Sequence, residues 1–333
     1  MKTPEKKEFV RVQDLKQWFP VKKWFFEEKQ YVKAVDGVSF TLYKGETLGI
    51  AGESGCGKST LIRSMLRLIE PTAGTIWYDR QDITHLNHKQ MRKLRSDMQI
   101  VFQDPYSSLD SRWTVGAIIE EPMIINRVYP TKAERIAKVK QLMDQVGMPS
   151  SYIDRYPHEF SGGQRQRVAI ARALATNPKL IMLDEAVSAL DISVRAQILN
   201  LLEELQQELG LTYAFVSHDL SVIEHICDRV AIMYLGRIVE LGTTDMIFNR
   251  PLHPYTGALL SSIPTIEEDQ KQEIILQGDI PSPVNPPAGC RFRTRCPYAV
   301  DRCLAEQTLT DVGDNHLVAC CRWTELVGAE NIT

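Results

Sequence analysis

Residues 1–250 predict an α/β fold, on three observations. Short β-branched and apolar runs alternate with helical patterns along the chain. Two of the runs, 180–183 (LIML) and 213–216 (YAFV), are apolar throughout, as in strands covered on both faces. Between them Val194, Ile198, Leu201, Leu202, Leu205 and Leu209 recur at three- and four-residue steps, the face of an amphipathic helix.

In chain order, strands are predicted at 47–51 (TLGIA), 99–102 (QIVF), 180–183, 213–216 and 230–234 (VAIMY), with a short further strand, RIVEL, between Gly236 and Gly242. A helix is predicted over 131–148, opened by Thr131 with Glu134 three residues later, the pattern of a capping box. After residue 250 the composition changes. Eight of the 17 prolines fall there, a density that opposes regular helix and sheet. One short helix-like segment is expected at 251–265, extended chain at 266–289 and a small cysteine-held knot at 290–323. No internal repeat is found.

The whole-chain arithmetic narrows the class. At 333 residues, 44% hydrophobic and 24% charged, the chain is globular and long enough for about two domains. The net charge of −3 carries no overall basic excess for nucleic acid. No apolar run reaches the roughly 18–20 residues that span a bilayer, and the charged start lacks the apolar stretch of a signal peptide. A cytoplasmic chain is expected. Five of the seven cysteines lie from Cys290 onward, which in a reducing compartment suggests metal or cluster ligation before disulfides.

Residues Gly52, Glu53, Ser54, Gly55, Cys56, Gly57, Lys58, Ser59 and Thr60 fit G-x-x-x-x-G-K-S/T, after a predicted strand and before a predicted helix. Glycines there let backbone N–H groups wrap a β-phosphate, and the helix N-terminus adds a favourable dipole. Lys58 would reach the β- and γ-phosphates and the Ser59 hydroxyl would ligate Mg²⁺. The run LIMLDE ends a predicted buried strand on Asp184, a candidate for the Mg²⁺ shell, and on Glu185, a candidate to polarise the attacking water. Cys56 contributes backbone, and Cys227 is read as core.

Ser161, Gly162, Gly163 and Gln164 open a second helix, VAIARALA, with Ser161 as its N-cap. They stand 23 residues before Asp184 and follow Gln103 in VFQDP; His218 comes after the next strand, in FVSHDLS. This ordered set resembles the ATP-binding cassette (ABC) family over roughly residues 8–250. The resemblance implies a P-loop NTPase with a mixed core sheet and flanking helices, an antiparallel β subdomain and a helical subdomain at about 104–175. It implies two cassettes paired head to tail, the 52–60 loop of one facing Ser161–Gln164 of the other. By position, Gln103 would link γ-phosphate and Mg²⁺ to a membrane-facing groove at 103–113, His218 would contact the γ-phosphate, and Asp191 would sense the paired subunit. Phe19 matches the adenine-stacking aromatic best, with Trp18 next and further aromatics in KQWFPVKKWFF. Phe160 stands where many members have Leu, and Ala186 where close relatives have Pro. Neither change removes a phosphate or metal contact.

The tail narrows the resemblance. HPYTGALL from His253, then GDIPSPVNPPAGCRFRTRCP from Gly278, resembles the C-terminal extension of dipeptide and oligopeptide importer ATPases, here over 251–333. The F-type subunit of such importers is most similar. That implies a related D-type ATPase partner, two permease subunits, an extracytoplasmic peptide-binding protein and a peripheral place on the cytoplasmic face of the inner membrane. Relatives that import nickel, its chelates, glutathione or sugars leave another small solute as the alternative cargo. A soluble cassette acting on DNA or the ribosome is opposed by the short spacing between motifs and by the single phosphate loop. Cys290, Cys296, Cys303 and Cys320 give C-x5-C-x6-C-x16-C, a poor match to paired zinc ligands. That spacing leaves a four-iron four-sulfur cluster (4Fe–4S), zinc or reduced thiols open, and the resemblance points to the cluster. Arg291, Arg293, Arg295 and Arg302 are expected to offset its charge, and Cys321 could replace Cys320.

Overall fold

A computed structural model describes residues 7–21, 29–263, 274 and 276–329. Its strands are β1 (Glu8–Pro20), β2 (Tyr31–Tyr43), β3 (Thr47–Ala51), β4 (Ala73–Tyr78), β5 (Gln81–Asp82), β6 (Met98–Val101), β7 (Leu180–Asp184), β8 (Thr212–Ser217), β9 (Arg229–Tyr234), β10 (Arg237–Thr243), β11 (Thr310–Asp311) and β12 (Leu317–Val318). Its helices are α1 (Lys58–Met65), α2 (His88–Leu94), α3 (Pro105–Ser108), α4 (Val115–Asn126), α5 (Lys132–Gln145), α6 (Gly162–Leu174), α7 (Ile192–Leu209), α8 (Leu220–Ile226), α9 (Thr244–Asn249), α10 (Pro254–Ser261) and α11 (Trp323–Ala329). The chain divides into two compact units.

One unit holds Tyr43–Thr47 and His85–Val216. Strands β6, β7 and β8 pair in parallel, Val101 opposite Leu183 and Asp184 opposite Val216. Every residue of β7 and β8 is buried, which is why their sequences are apolar without alternation. Helices α4, α5 and α6 pack on one another. Helix α6 buries Val168, Ala169, Ile170, Ala171, Ala173 and Leu174. Each larger apolar side chain so covered contributes about 1.5–3 kcal/mol. Helix α5 opens as predicted: Thr131 Oγ1 accepts from Glu134 N–H at 3.2 Å, and the Glu134 carboxylate accepts from Thr131 N–H at 2.9 Å. It ends at Gln145, three residues before the predicted boundary.

The other unit holds Glu8–Leu42, Leu48–Thr84 and Ser217–Thr333. Strands β2, β1, β4 and β5 form a four-stranded sheet in that order. The β1–β4 pairing is antiparallel with a bulge between Gln13 and Lys16. Strand β3 pairs β9 in parallel, β9 pairs β10 antiparallel, and β10 pairs β12, which pairs β11. The tail thus adds strands to a sheet edge of this unit, Glu240 facing Val318 across the ladder. Glu240 is fully buried there. Its carboxylate accepts from Leu252 N–H at 2.8 Å and His253 N–H at 3.0 Å, and pairs His316 Nε2 at 2.8 Å. A buried charge needs such partners to be tolerated. Tyr234, Tyr255, Phe292 and His253 close an aromatic cluster beside it, ring centroids 4.7–5.7 Å apart.

Candidate functional site

The 52–60 loop leaves β3, whose five residues are all buried, and enters α1. Two glycines are dictated by close backbone. At Gly52 (φ 147°) a Cβ would lie 2.1 Å from Met233 O, and at Gly57 (φ 110°) 2.0 Å from Ala34 O. Lys58 is buried, and its ammonium donates to Gly52 O at 2.7 Å and Glu53 O at 3.0 Å, so the cation sits inside its own loop. Ser59 and Thr60 are half-buried in the first helical turn. Burial pushes the Cys56 thiol up, partly offset by Lys58, and Cys56 O accepts from Gly236 N–H at 2.8 Å. Phe19, at the end of β1, is exposed. Trp18 donates its indole N–H to Asp36 at 2.9 Å and carries Lys33 Nζ 5.1 Å over its ring. Trp24, Phe25 and Phe26 lie outside the described residues. His218, after β8, is exposed in this same unit.

In the other unit, Asp184 is buried at the end of β7 and Glu185 follows in the left-handed region, φ 49°. For a non-glycine residue that backbone costs on the order of 1–3 kcal/mol and clusters at functional sites. It is held by Glu185 N–H, which donates to Val216 O at 3.0 Å, and by Ser188, whose N–H and Oγ donate to Glu185 O at 3.1 and 3.0 Å. Gln103 Nε2 donates to Glu185 Oε2 at 2.9 Å, so these two predicted residues meet directly. Ser161 Oγ accepts from Gln164 N–H at 3.3 Å and Gln164 Oε1 accepts from Ser161 N–H at 3.0 Å, a capping box at the start of α6. Ser161 and Gly162 face solvent, whereas Gly163 is buried where a Cβ would lie 2.3 Å from Val194 Cγ1. Asp191, exposed, stands at the N-cap position of α7.

Cys290, Cys296, Cys303, Cys320 and Cys321 line one pocket with His253, Phe292, Arg293 and Arg322. Cys303 Sγ lies 3.7 Å from Cys321 Sγ. Burial raises Cys290, Cys296 and Cys320 to about 11 each, so as thiols they stay protonated at neutral pH. The donor set is that of a soft thiolate centre, with five candidates for four ligand places. Among the described residues, however, no group of three or more His, Cys, Asp or Glu side chains converges as a metal-ligand set.

Comparison with known proteins decides the family. The family model described as ABC transporter matches residues 35–188, and that described as oligopeptide/dipeptide transporter, C-terminal region, matches 239–303. The oligopeptide transport ATP-binding protein AppF of Bacillus subtilis is 52% identical over 93% of this chain and 96% of its own length. The dipeptide transport ATP-binding protein DppF of Escherichia coli is 53% identical over 92% of each. The chain belongs to the ABC transporter ATPases. Among solved structures, the dimeric cassette MJ0796 bound to ADP and Pi has a TM-score of 0.62 at 30% identity, covering 71% of this chain and 98% of that one. The cassette fold expected from the motifs is therefore the fold found. Among the described residues of this ABC ATPase no helix is long and apolar enough to cross a membrane.

One expectation about the tail needs correction. Of the arginines assigned to offset cluster charge, Arg291 donates instead to Asp36 and to Leu235 O, and Arg295 to Glu53. Arg302 is exposed and pairs Glu325, and only Arg293 of the four lines the pocket, joined by Arg322. Sequence reasoning also missed Tyr255, whose hydroxyl accepts from Glu53 N–H at 2.9 Å. The available signal was the pair of motifs HPYTG and RTRC, which carry Tyr255 and Arg295 at fixed places in a proline-rich tail.

Proposed function

We propose that this chain is the ATP-hydrolysing subunit that powers import of dipeptides and oligopeptides through a membrane ABC transporter. The observation that carries the reading is one chain holding a phosphate loop, an Asp184–Glu185 strand end and a tail of the oligopeptide/dipeptide transporter type. The names of the B. subtilis and E. coli relatives support the cargo class.

On this reading the 52–60 backbone cradles phosphate, Lys58 turns from its loop carbonyls to the β- and γ-oxygens, and Phe19 stacks on adenine. Ser59, Gln103 and Asp184 would hold Mg²⁺, which would supply positive charge against the negative charge that develops on the phosphates. Glu185 orients and polarises the attacking water, with Gln103 fixing its carboxylate, and His218 steadies the γ-phosphate. Ser161, Gly162, Gly163 and Gln164 present a capped helix start to the nucleotide of a paired cassette, and Asp191 reports on that pairing. Closure of the pair on ATP drives the permeases and hydrolysis reopens it. The partners are a related D-type ATPase, two permease subunits and an extracytoplasmic peptide-binding protein, with this chain peripheral on the cytoplasmic face of the inner membrane. Residues 8–250 serve as the cassette and 251–333 as the extension. Cys290, Cys296 and Cys303, with Cys320 or Cys321, would hold a 4Fe–4S cluster as four thiolates, which requires the pocket thiols to release protons and to converge.

The test is ATP turnover of Glu185→Gln beside wild type. General-base assistance is worth about 10²–10⁴ in rate, so turnover should fall by that order while nucleotide binding persists. Wild-type turnover in the variant would contradict the role given to Glu185.

A further inference from the structure

The phosphate loop is not held by the cassette alone. Glu53, its second residue, is gripped twice by the tail. Arg295 Nη1 and Nη2 donate to the two carboxylate oxygens at 2.8 and 3.1 Å, a fork-on-fork pair, and Tyr255 Oη accepts from Glu53 N–H at 2.9 Å. The Arg295 side chain is 8% exposed and that of Glu53 24%, so this is a part-buried pair rather than a solvated surface contact. The same Glu53 supplies a carbonyl that holds Lys58 at 3.0 Å. Tyr255 is itself fixed by packing on Tyr234 and Phe292, centroids 4.7 and 5.3 Å away. Arg295 directly precedes Cys296, a wall of the cysteine pocket.

We propose that Arg295 and Tyr255 are positioning residues for ATP: they fix the backbone of Glu53, and through it the N–H array and the Lys58 ammonium that meet the phosphates. The extension is then part of the nucleotide site. The proposal rests on the reading of residues 52–60 as the phosphate loop.

The experiment is titration of the purified full-length chain with a fluorescent ATP analogue and Mg²⁺, for wild type, Arg295→Gln, Glu53→Gln, the double variant and Lys58→Ala. Loss of a charge-assisted bidentate pair should weaken binding about tenfold in each single variant. The double variant should be no weaker than the worse single one, because both remove the same interaction. In turnover assays Arg295→Gln should raise KM for ATP by a larger factor than it lowers kcat, and Arg295→Lys should fall between, keeping the charge but not the fork. Binding within twofold of wild type in both single variants, or losses that multiply in the double, would overturn the proposal. Should Arg295→Gln fail to fold, the near-isosteric Glu53→Gln carries the test by itself. Tight binding by Lys58→Ala would overturn the phosphate-loop assignment instead, which separates the two failures.

Discussion

His253 shows how one side chain can tie fold to solution conditions. It N-caps α10, its Nδ1 accepting from Tyr255 N–H at 3.1 Å, so the ring is neutral with its proton on Nε2. Burial lowers it from 6.5 to about 4, against the opposing pull of Glu240. Charging the ring would put a proton on Nδ1 and break the cap. A group whose folded value is depressed stabilises above its unfolded value and loses that contribution as pH falls. Stability should therefore decline from about pH 6.5 toward pH 4, by up to about 1.4 kcal/mol per pH unit from this group. Urea unfolding across that range checks it, with His253→Gln flattening the slope; equal slopes would remove His253 as the cause. Residue-scale features of this kind were only partly legible. The phosphate-loop glycines and the Ser161 cap could be read because a motif states them. The left-handed backbone of Glu185 and its bond from Gln103 could not, because the first is held by Val216 on the neighbouring strand and the second comes from a residue 82 positions away.

At the scale of elements, uninterrupted patterns were readable and interrupted ones were not. Strands β3, β6, β7, β8, β9 and β10 lie within a residue or two of expectation, since short apolar and β-branched runs mark strands, most plainly where every residue is buried, as in β7 and β8. Strands β1, β2 and β4 were not placed. In β1 the bulge between Gln13 and Lys16, with Asp14 at φ 44°, shifts which side chains face the core, so Val10 and Val12 are buried and then Leu15 and Gln17. No strict period survives that shift. The cysteine tail places five thiols around one pocket. If a 4Fe–4S cluster occupies its pocket, anaerobically purified protein should carry about four irons and four acid-labile sulfides per chain. Cys303→Ser should lose most of them, whereas stoichiometric zinc without iron would reject the cluster.

For the whole molecule, a cassette engine and a transporter-specific tail share one chain. Membership of the ABC transporter ATPases follows from identity over nearly the full length of the relatives. Peptide import is the step beyond it, and it was legible because the tail motifs differ from the cassette motifs and specify the machine rather than the engine. What the sequence did not convey is that the tail reaches back to the phosphate loop, since Glu53 and Arg295 are separated by 242 positions. The most direct test is uptake of labelled dipeptides and oligopeptides by cells in which redundant importers are deleted and this chain is present only as wild type or as Glu185→Gln. The account predicts uptake with wild type and its loss in the variant; peptide uptake that is the same in both would contradict it.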